Sequence, residues 1–153
     1  GPSQPSDTAD SGDIAMARVE ILTLQVHFGD CDPAGIVFYP NFFRWYDAAS
    51  RNFFDRCGLP PWRETEKLYG ILGTPLVEAS SKFLRPATYG DTIQVHTSIS
   101  SWEEKVFIQQ HQIKRGDDLL ATGEERRVFA RRDPDTGRIR DVPAPPALRA
   151  LCE

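Results

Sequence analysis

No stretch of the chain approaches the run of about 18 apolar residues that a membrane-spanning helix needs, so none is expected to cross a bilayer. Cysteine is scarce: Cys31, Cys57 and Cys152 are odd in number, far apart, and form no C-x-x-C pair. That excludes a disulfide framework and a zinc ribbon, and makes a reducing cytoplasm the natural setting. Three histidines, His27, His96 and His111, are too few for a histidine-rich metal centre. Grouped positive charge is missing as well. Lys and Arg number 18 against 22 Asp and Glu, a formal net charge of −4. The one short basic run, Arg126-Arg127 and then Arg131-Arg132, falls in a strand-like segment. A nucleic-acid partner, which needs clustered Lys and Arg to neutralise phosphates, is not expected. Residues 1–16, GPSQPSDTADSGDIAM, lack both apolar content and the charged-then-apolar layout of a secretion signal, and read as a disordered tail or an expression remnant.

What remains, 17–153, is one domain's length, and a 40% hydrophobic chain of this size can bury a core without cross-links. Leu22, Leu24, Val26 and Phe28 alternate with polar neighbours, the period of a half-buried strand. Gly29-Asp30-Cys31-Asp32-Pro33-Ala34-Gly35 breaks the strand with turn residues. From Asn41 to Cys57 the spacing turns helical, with Phe42, Trp45, Tyr46, Ala49 and Phe53 at i, i+3, i+4, i+7 and i+11. Pro40 suits the first turn, and Gly58 with Pro60 the stop. Phe43 and Phe54 lie outside that stripe, so the helix expects to be surrounded. A short helix follows over Trp62–Tyr69. The rest is strand-like: Thr92–Ser101, Val106–Lys114 and Leu119–Arg131, with a hairpin turn at Arg115–Asp118, then Asp133–Gly137 and a strand over Arg138–Val142. The tail ends in a helical turn. One long helix followed by a run of antiparallel strands argues α+β, with a curved sheet wrapped around the helix.

The run Phe28-Gly29-Asp30-Cys31-Asp32-Pro33-Ala34-Gly35-Ile36-Val37-Phe38-Tyr39-Pro40-Asn41 closely resembles the 4-hydroxybenzoyl-CoA thioesterases. The likeness continues through Arg44-Trp45, Ala48–Asn52, Cys57–Trp62 and Gly73-Thr74-Pro75. It implies the hotdog fold and hydrolysis of an aromatic acyl-CoA without metal or cofactor. Related thioesterases carry a His after the Tyr at the helix start; Pro40 stands there, which favours the aromatic-acyl branch. The resemblance also implies a homodimer or homotetramer with sites at the subunit interface, which suits the strand edges an isolated sheet exposes.

Asp32 admits two readings. As a residue before Pro it can simply form the turn. Placed beside a thioester at a helix N-terminus, its carboxylate can attack the carbonyl or deprotonate a water that does. The resemblance assigns the second role. It assigns oxyanion binding to the backbone N–H of Tyr39, since Pro40 has none; such a donor is worth about 3 kcal/mol. Gly35 would let the backbone approach the thioester, and Asp30 reads as a structural carboxylate. Asp47 either pairs with Arg51 at i,i+4 or accepts a hydrogen bond from a substrate phenol. Trp62, Thr74, Pro75 and Leu76 match positions lining the acyl and pantetheine site. Lys105 is retained where phosphates of CoA are expected, but Glu103 and Glu104 beside it would repel them. A carrier-protein or short aliphatic thioester is therefore a second expectation, and a non-catalytic hotdog module binding an acyl-thioester or a protein a third. His111 reads as part of a polar strand face or a partnered core histidine. Cys31 has no histidine close enough in sequence to activate it.

Overall fold

The structure, a computed structural model, describes residues 17–153; the expectation for 1–16 lies outside the described residues. Strand β1 (Glu20–Gln25) leads through a 3-10 turn (Phe28–Asp30) to helix α1 (Pro40–Arg56). Helix α2 (Trp62–Tyr69) and six strands follow, β2 (Ile71–Gly73), β3 (Leu76–Phe83), β4 (Thr92–Trp102), β5 (Val106–Arg115), β6 (Asp118–Arg132) and β7 (Ile139–Val142). Helix α3 (Pro146–Leu151) ends the chain. The helix and strand types follow the sequence reading, with one correction. The alternation in the sequence predicts β1 as far as Phe28, yet that residue is 76% exposed and its ring stands edge-on to Tyr89. Turn chemistry overrides the apolar period there: Asp30 Oδ2 accepts the His27 N–H at 2.8 Å, pulling the chain out of the sheet plane.

All seven strands pair antiparallel in the order β1-β4-β5-β6, and β6 holds the rest together. Its first half pairs with β3, from Leu76 opposite Arg127 to Phe83 opposite Ala121. On the other side β5 reaches only to Val106 opposite Val128, which leaves the end of β6 free to pair with β7. Strand β2 meets the same end, with Ile71 opposite Arg131. Helix α1 buries Phe42, Trp45, Tyr46, Ala49, Phe53 and Phe54 against this sheet and leaves Arg44, Asp47 and Asp55 exposed.

The core under α1 has two apolar halves. One gathers Val26, Phe42, Trp45, Ile93, Val95 and Ile113; the other gathers Phe53, Phe54, Ile71, Phe107, Phe129 and Leu148. Between them lies a buried polar seam of Ser50, Thr97, Gln109, His111, Glu125 and Arg127. Tyr46 stacks on His111 with ring centroids 5.0 Å apart, and its hydroxyl shares a 2.8 Å hydrogen bond with Ser81. Burial pushes the Tyr46 phenol up to about 12, so it stays protonated. The ring lies against Gly123, where any Cβ would overlap it. Gly123→Ala is expected to cost about 1–3 kcal/mol by overpacking, read as a lower urea midpoint at unchanged m-value.

Candidate active site

Asp32 opens a tight hairpin turn whose three loop residues are Pro33, Ala34 and Gly35. Cys31 and Val37 bridge, the Asp32 N–H donates to the Ile36 carbonyl at 2.9 Å, and the Gly35 N–H donates to the Asp32 carbonyl at 2.8 Å. Gly35 closes the loop at φ +84, in the left-handed region that only glycine enters freely. The side chain of Asp32 takes part as well: Oδ1 accepts the Ala34 N–H at 2.9 Å, and no hydrogen bond from the described residues reaches Oδ2. The turn reading of Asp32 is what the geometry shows, with Oδ1 holding the turn and Oδ2 left open. Asp30 is structural as expected. Its carboxylate caps His27, and its carbonyl accepts from the Phe38 N–H and from Asn41 Nδ2.

The hairpin runs directly into the N-terminus of α1. The amides of Asn41 and Phe42 are taken by the carbonyls of Phe38 and Tyr39, and Pro40 has none to offer. The Tyr39 N–H donates to no acceptor among the described residues, leaving a free donor at the positive end of a 17-residue helix.

A cleft of about 570 Å³ opens on another part of the molecule, between the middle of α1 and the β2–β3 connection. Asp47, Trp62, Thr74 and Pro75 line it together, joined by Ser50, Arg51 and Arg127. Four of the expected substrate-binding residues therefore converge. Leu76 does not line the cleft; it opens β3 just beyond, 49% exposed. Lys105 stands in the exposed β4–β5 turn, also apart from the cleft lining. Glu103 in that turn is paired with Arg126 at 3.2 Å, which offsets its repulsion of phosphates.

The Asp47–Arg51 pair does not form. Arg51 instead pairs with Asp55 at i,i+4 and lies 4.6 Å over the Trp62 ring, fixing that wall of the cleft. Asp47 is held by Arg127, whose NH2 group donates to Oδ1 at 2.9 Å. Arg127 comes from β6, and its partnership with residue 47 is a long-range pairing with no trace in local spacing. Glu125 is buried beside it. Burial alone would push that carboxyl up, but hydrogen bonds from His111 and Arg127, with the positive charge there, hold it below its ordinary value. In the sequence Arg127 is one member of a short basic run; in the structure it is 6% exposed and turned into the protein.

Residues 26–151 match the thioesterase-like superfamily. The chain is 47% identical over 134 residues to 4-hydroxybenzoyl-CoA thioesterase of Pseudomonas sp. (strain CBS-3), covering 84% of this chain and 95% of that protein. The chain belongs to this family. An Asp-to-Asn mutant of a 4-hydroxybenzoyl-CoA thioesterase complexed with 4-hydroxybenzoyl-CoA superposes with a TM-score of 0.81 at 44% identity, over 90% of this chain and all of that one. A gentisyl-coenzyme A thioesterase superposes at 0.72 with 34% identity, over 85% and 99% of the two chains. The α+β hotdog fold read from the sequence is thereby established. No helix among the described residues is long and apolar enough to cross a membrane.

Proposed function

We propose that the protein hydrolyses aromatic acyl-CoA thioesters of the 4-hydroxybenzoyl type, in a dimer whose active sites are shared between two copies. The observation that carries the reading is the pairing of a carboxylate with one open oxygen, Asp32, and an unpartnered N–H, Tyr39, at the start of a long helix in a chain of this family. The thioester carbonyl oxygen accepts from the Tyr39 N–H, which stabilises the negative charge that develops on it. Asp32 Oδ2 then either attacks the carbonyl carbon, expelling the CoA thiolate and leaving a mixed anhydride that water opens, or takes the proton of a water that attacks.

Within one protomer the cleft lining does not include Asp32 or Tyr39, and β3 supplies the link. It begins beside Thr74 and Pro75 of the cleft and ends at Phe83, whose ring stands 6.2 Å from that of Tyr39. Its outer edge pairs with no described strand, and Val77 and Phe83 are exposed. Two copies pairing β3 antiparallel set the start of one strand against the end of the other, as a two-fold axis requires. Asp32 and Tyr39 of one copy then face the cleft of its partner. There Trp62, Thr74 and Pro75 flank the acyl group and the pantetheine arm at the mouth of β3, where Leu76 is exposed. Asp47 accepts the phenol O–H, and Lys105 meets the phosphates. Pairs of dimers complete a tetramer. The buried free thiols Cys57 and Cys152 suit a reducing cytoplasm, and 17–153 acts as one domain.

Thiol release from 4-hydroxybenzoyl-, benzoyl-, phenylacetyl-, acetyl- and medium-chain acyl-CoA tests the reading. The aroyl esters are expected to turn over at least about tenfold faster in kcat/KM than the aliphatic ones. Faster aliphatic turnover would remove the substrate class, and silence on every ester would remove the CoA hydrolase.

A further inference from the structure

The polar seam between the two apolar halves of the core leads into the cleft, and each of its links is a named hydrogen bond. The Thr97 hydroxyl pairs with His111 Nδ1 at 2.7 Å, and His111 Nε2 with Glu125 Oε1 at 2.7 Å. Glu125 Oε2 accepts from the Arg127 NH2 group at 2.8 Å, and the same nitrogen donates to Asp47 Oδ1. Arg127 NH1 donates to the carbonyl of Thr74 at 2.8 Å. A single guanidinium therefore ties both walls of the cleft, the helix carrying Asp47 and the connection carrying Thr74.

The burial gradient along this chain is steep. Thr97, His111 and Glu125 are at most 2% exposed, whereas the Asp47 side chain is 75% exposed. A carboxylate that open would sample several rotamers unless something held it, and the only partner it has among the described residues is Arg127. Asp47 Oδ2 accepts nothing from the described residues. A buried ionic seam is seldom the most stable way to fill a core, since apolar side chains of similar volume serve stability as well or better. A role in the cleft accounts for keeping it.

We propose that Arg127, backed by Glu125, His111 and Thr97, is the positioning residue for Asp47 and thereby sets the preference for acyl rings bearing a hydroxyl group. The inference rests on the reading of Asp47 as phenol acceptor given under the proposed function. Arg127 holds Oδ1 from behind, so Oδ2 is presented to the ring substituent in one orientation. Glu125 fixes the guanidinium plane, His111 fixes Glu125, and Thr97 fixes the imidazole by occupying its other nitrogen.

The readout is a ratio, kcat/KM for 4-hydroxybenzoyl-CoA over that for benzoyl-CoA, because a purely structural role changes both esters alike. Arg127→Lys keeps the charge but loses the fork that reaches Asp47, Glu125 and Thr74 together, and is expected to lower the ratio about tenfold, mostly through KM for the hydroxylated ester. Thr97→Val, far from the substrate and conservative in shape, is expected to lower it about threefold, while Thr97→Ser keeps the wild-type ratio. Thr97→Val also covers the case in which Arg127→Lys fails to fold. An unchanged ratio in Thr97→Val, or equal losses on both esters, overturns the proposal. Asp47→Ala separates the two layers. If it collapses the ratio while the Thr97 and Arg127 variants do not, the positioning role alone fails. If it leaves the ratio intact, the reading of Asp47 fails and the positioning role with it.

Discussion

Asp32→Asn is expected to lower kcat on 4-hydroxybenzoyl-CoA by at least about 10³-fold while leaving the fold and thioester binding in place. The amide has nearly the shape of the carboxylate. Its oxygen can still accept the Ala34 N–H, now at 2.9 Å, and asparagine supports this kind of turn as well as aspartate does. The hairpin, and the free Tyr39 N–H that follows it, therefore survive. What disappears is the open Oδ2 with its negative charge, the group that forms a bond to the carbonyl carbon or removes a proton from water. Single-turnover thiol release should be nearly silent, while the Kd of the thioester moves less than about threefold, since the N–H that receives the carbonyl is backbone. Wild-type turnover in this variant would mean that another group carries the reaction.

Glu125→Leu is expected to produce the largest loss of stability, about 3–5 kcal/mol, seen as a lower urea midpoint. Leu is apolar and somewhat larger, so overpacking adds to the loss of the charge. Leu leaves His111 Nε2 without a partner in a site 1% exposed, and leaves the buried guanidinium of Arg127 with only the solvent-facing Asp47 to balance it. The same carboxyl shapes the acid limb of wild-type stability. Its folded value lies below the ordinary 4.5, so its contribution is complete above about pH 4.5 and is lost as pH falls through the folded value. Asp91, held low by the Thr88 N–H and by Arg115, contributes to the same limb. The variant should accordingly show a shallower fall of unfolding free energy below pH 4.5 than the wild type, without becoming flat.

Much of this was legible in the sequence because it is local. The apolar spacing of α1, the hairpin residues around Asp32 and the absence of an N–H on Pro40 each act within a few positions. Trp62, Thr74 and Pro75 were placed by resemblance, and the cleft brings them together. Two of the misses share one cause, long-range contacts that the sheet creates. Asp47 looked like a partner for Arg51 because i,i+4 is the only relation visible along a helix. Its actual partner is 80 positions away on β6. Glu125 and Arg127 alternate with Glu124 and Arg126 in a run that looks uniformly charged. Only the register of β6 against β5, with Glu125 opposite Gln109 and Arg127 opposite Phe107, puts the first pair inside and the second outside. Phe28 erred the other way, because a local cap by Asp30 outweighed the strand period.

Subunit mixing tests the shared site most directly. Asp32→Asn and Asp47→Ala chains, each weak on 4-hydroxybenzoyl-CoA alone, are unfolded together in equal amounts and refolded. If Asp32 of one copy works on the cleft of its partner, half of the dimers are mixed and one of their two sites has both native residues. Activity should then recover to about a quarter of the wild-type value. A mixture no more active than the average of its two parents would contradict a site built across β3 and place the whole reaction within one chain.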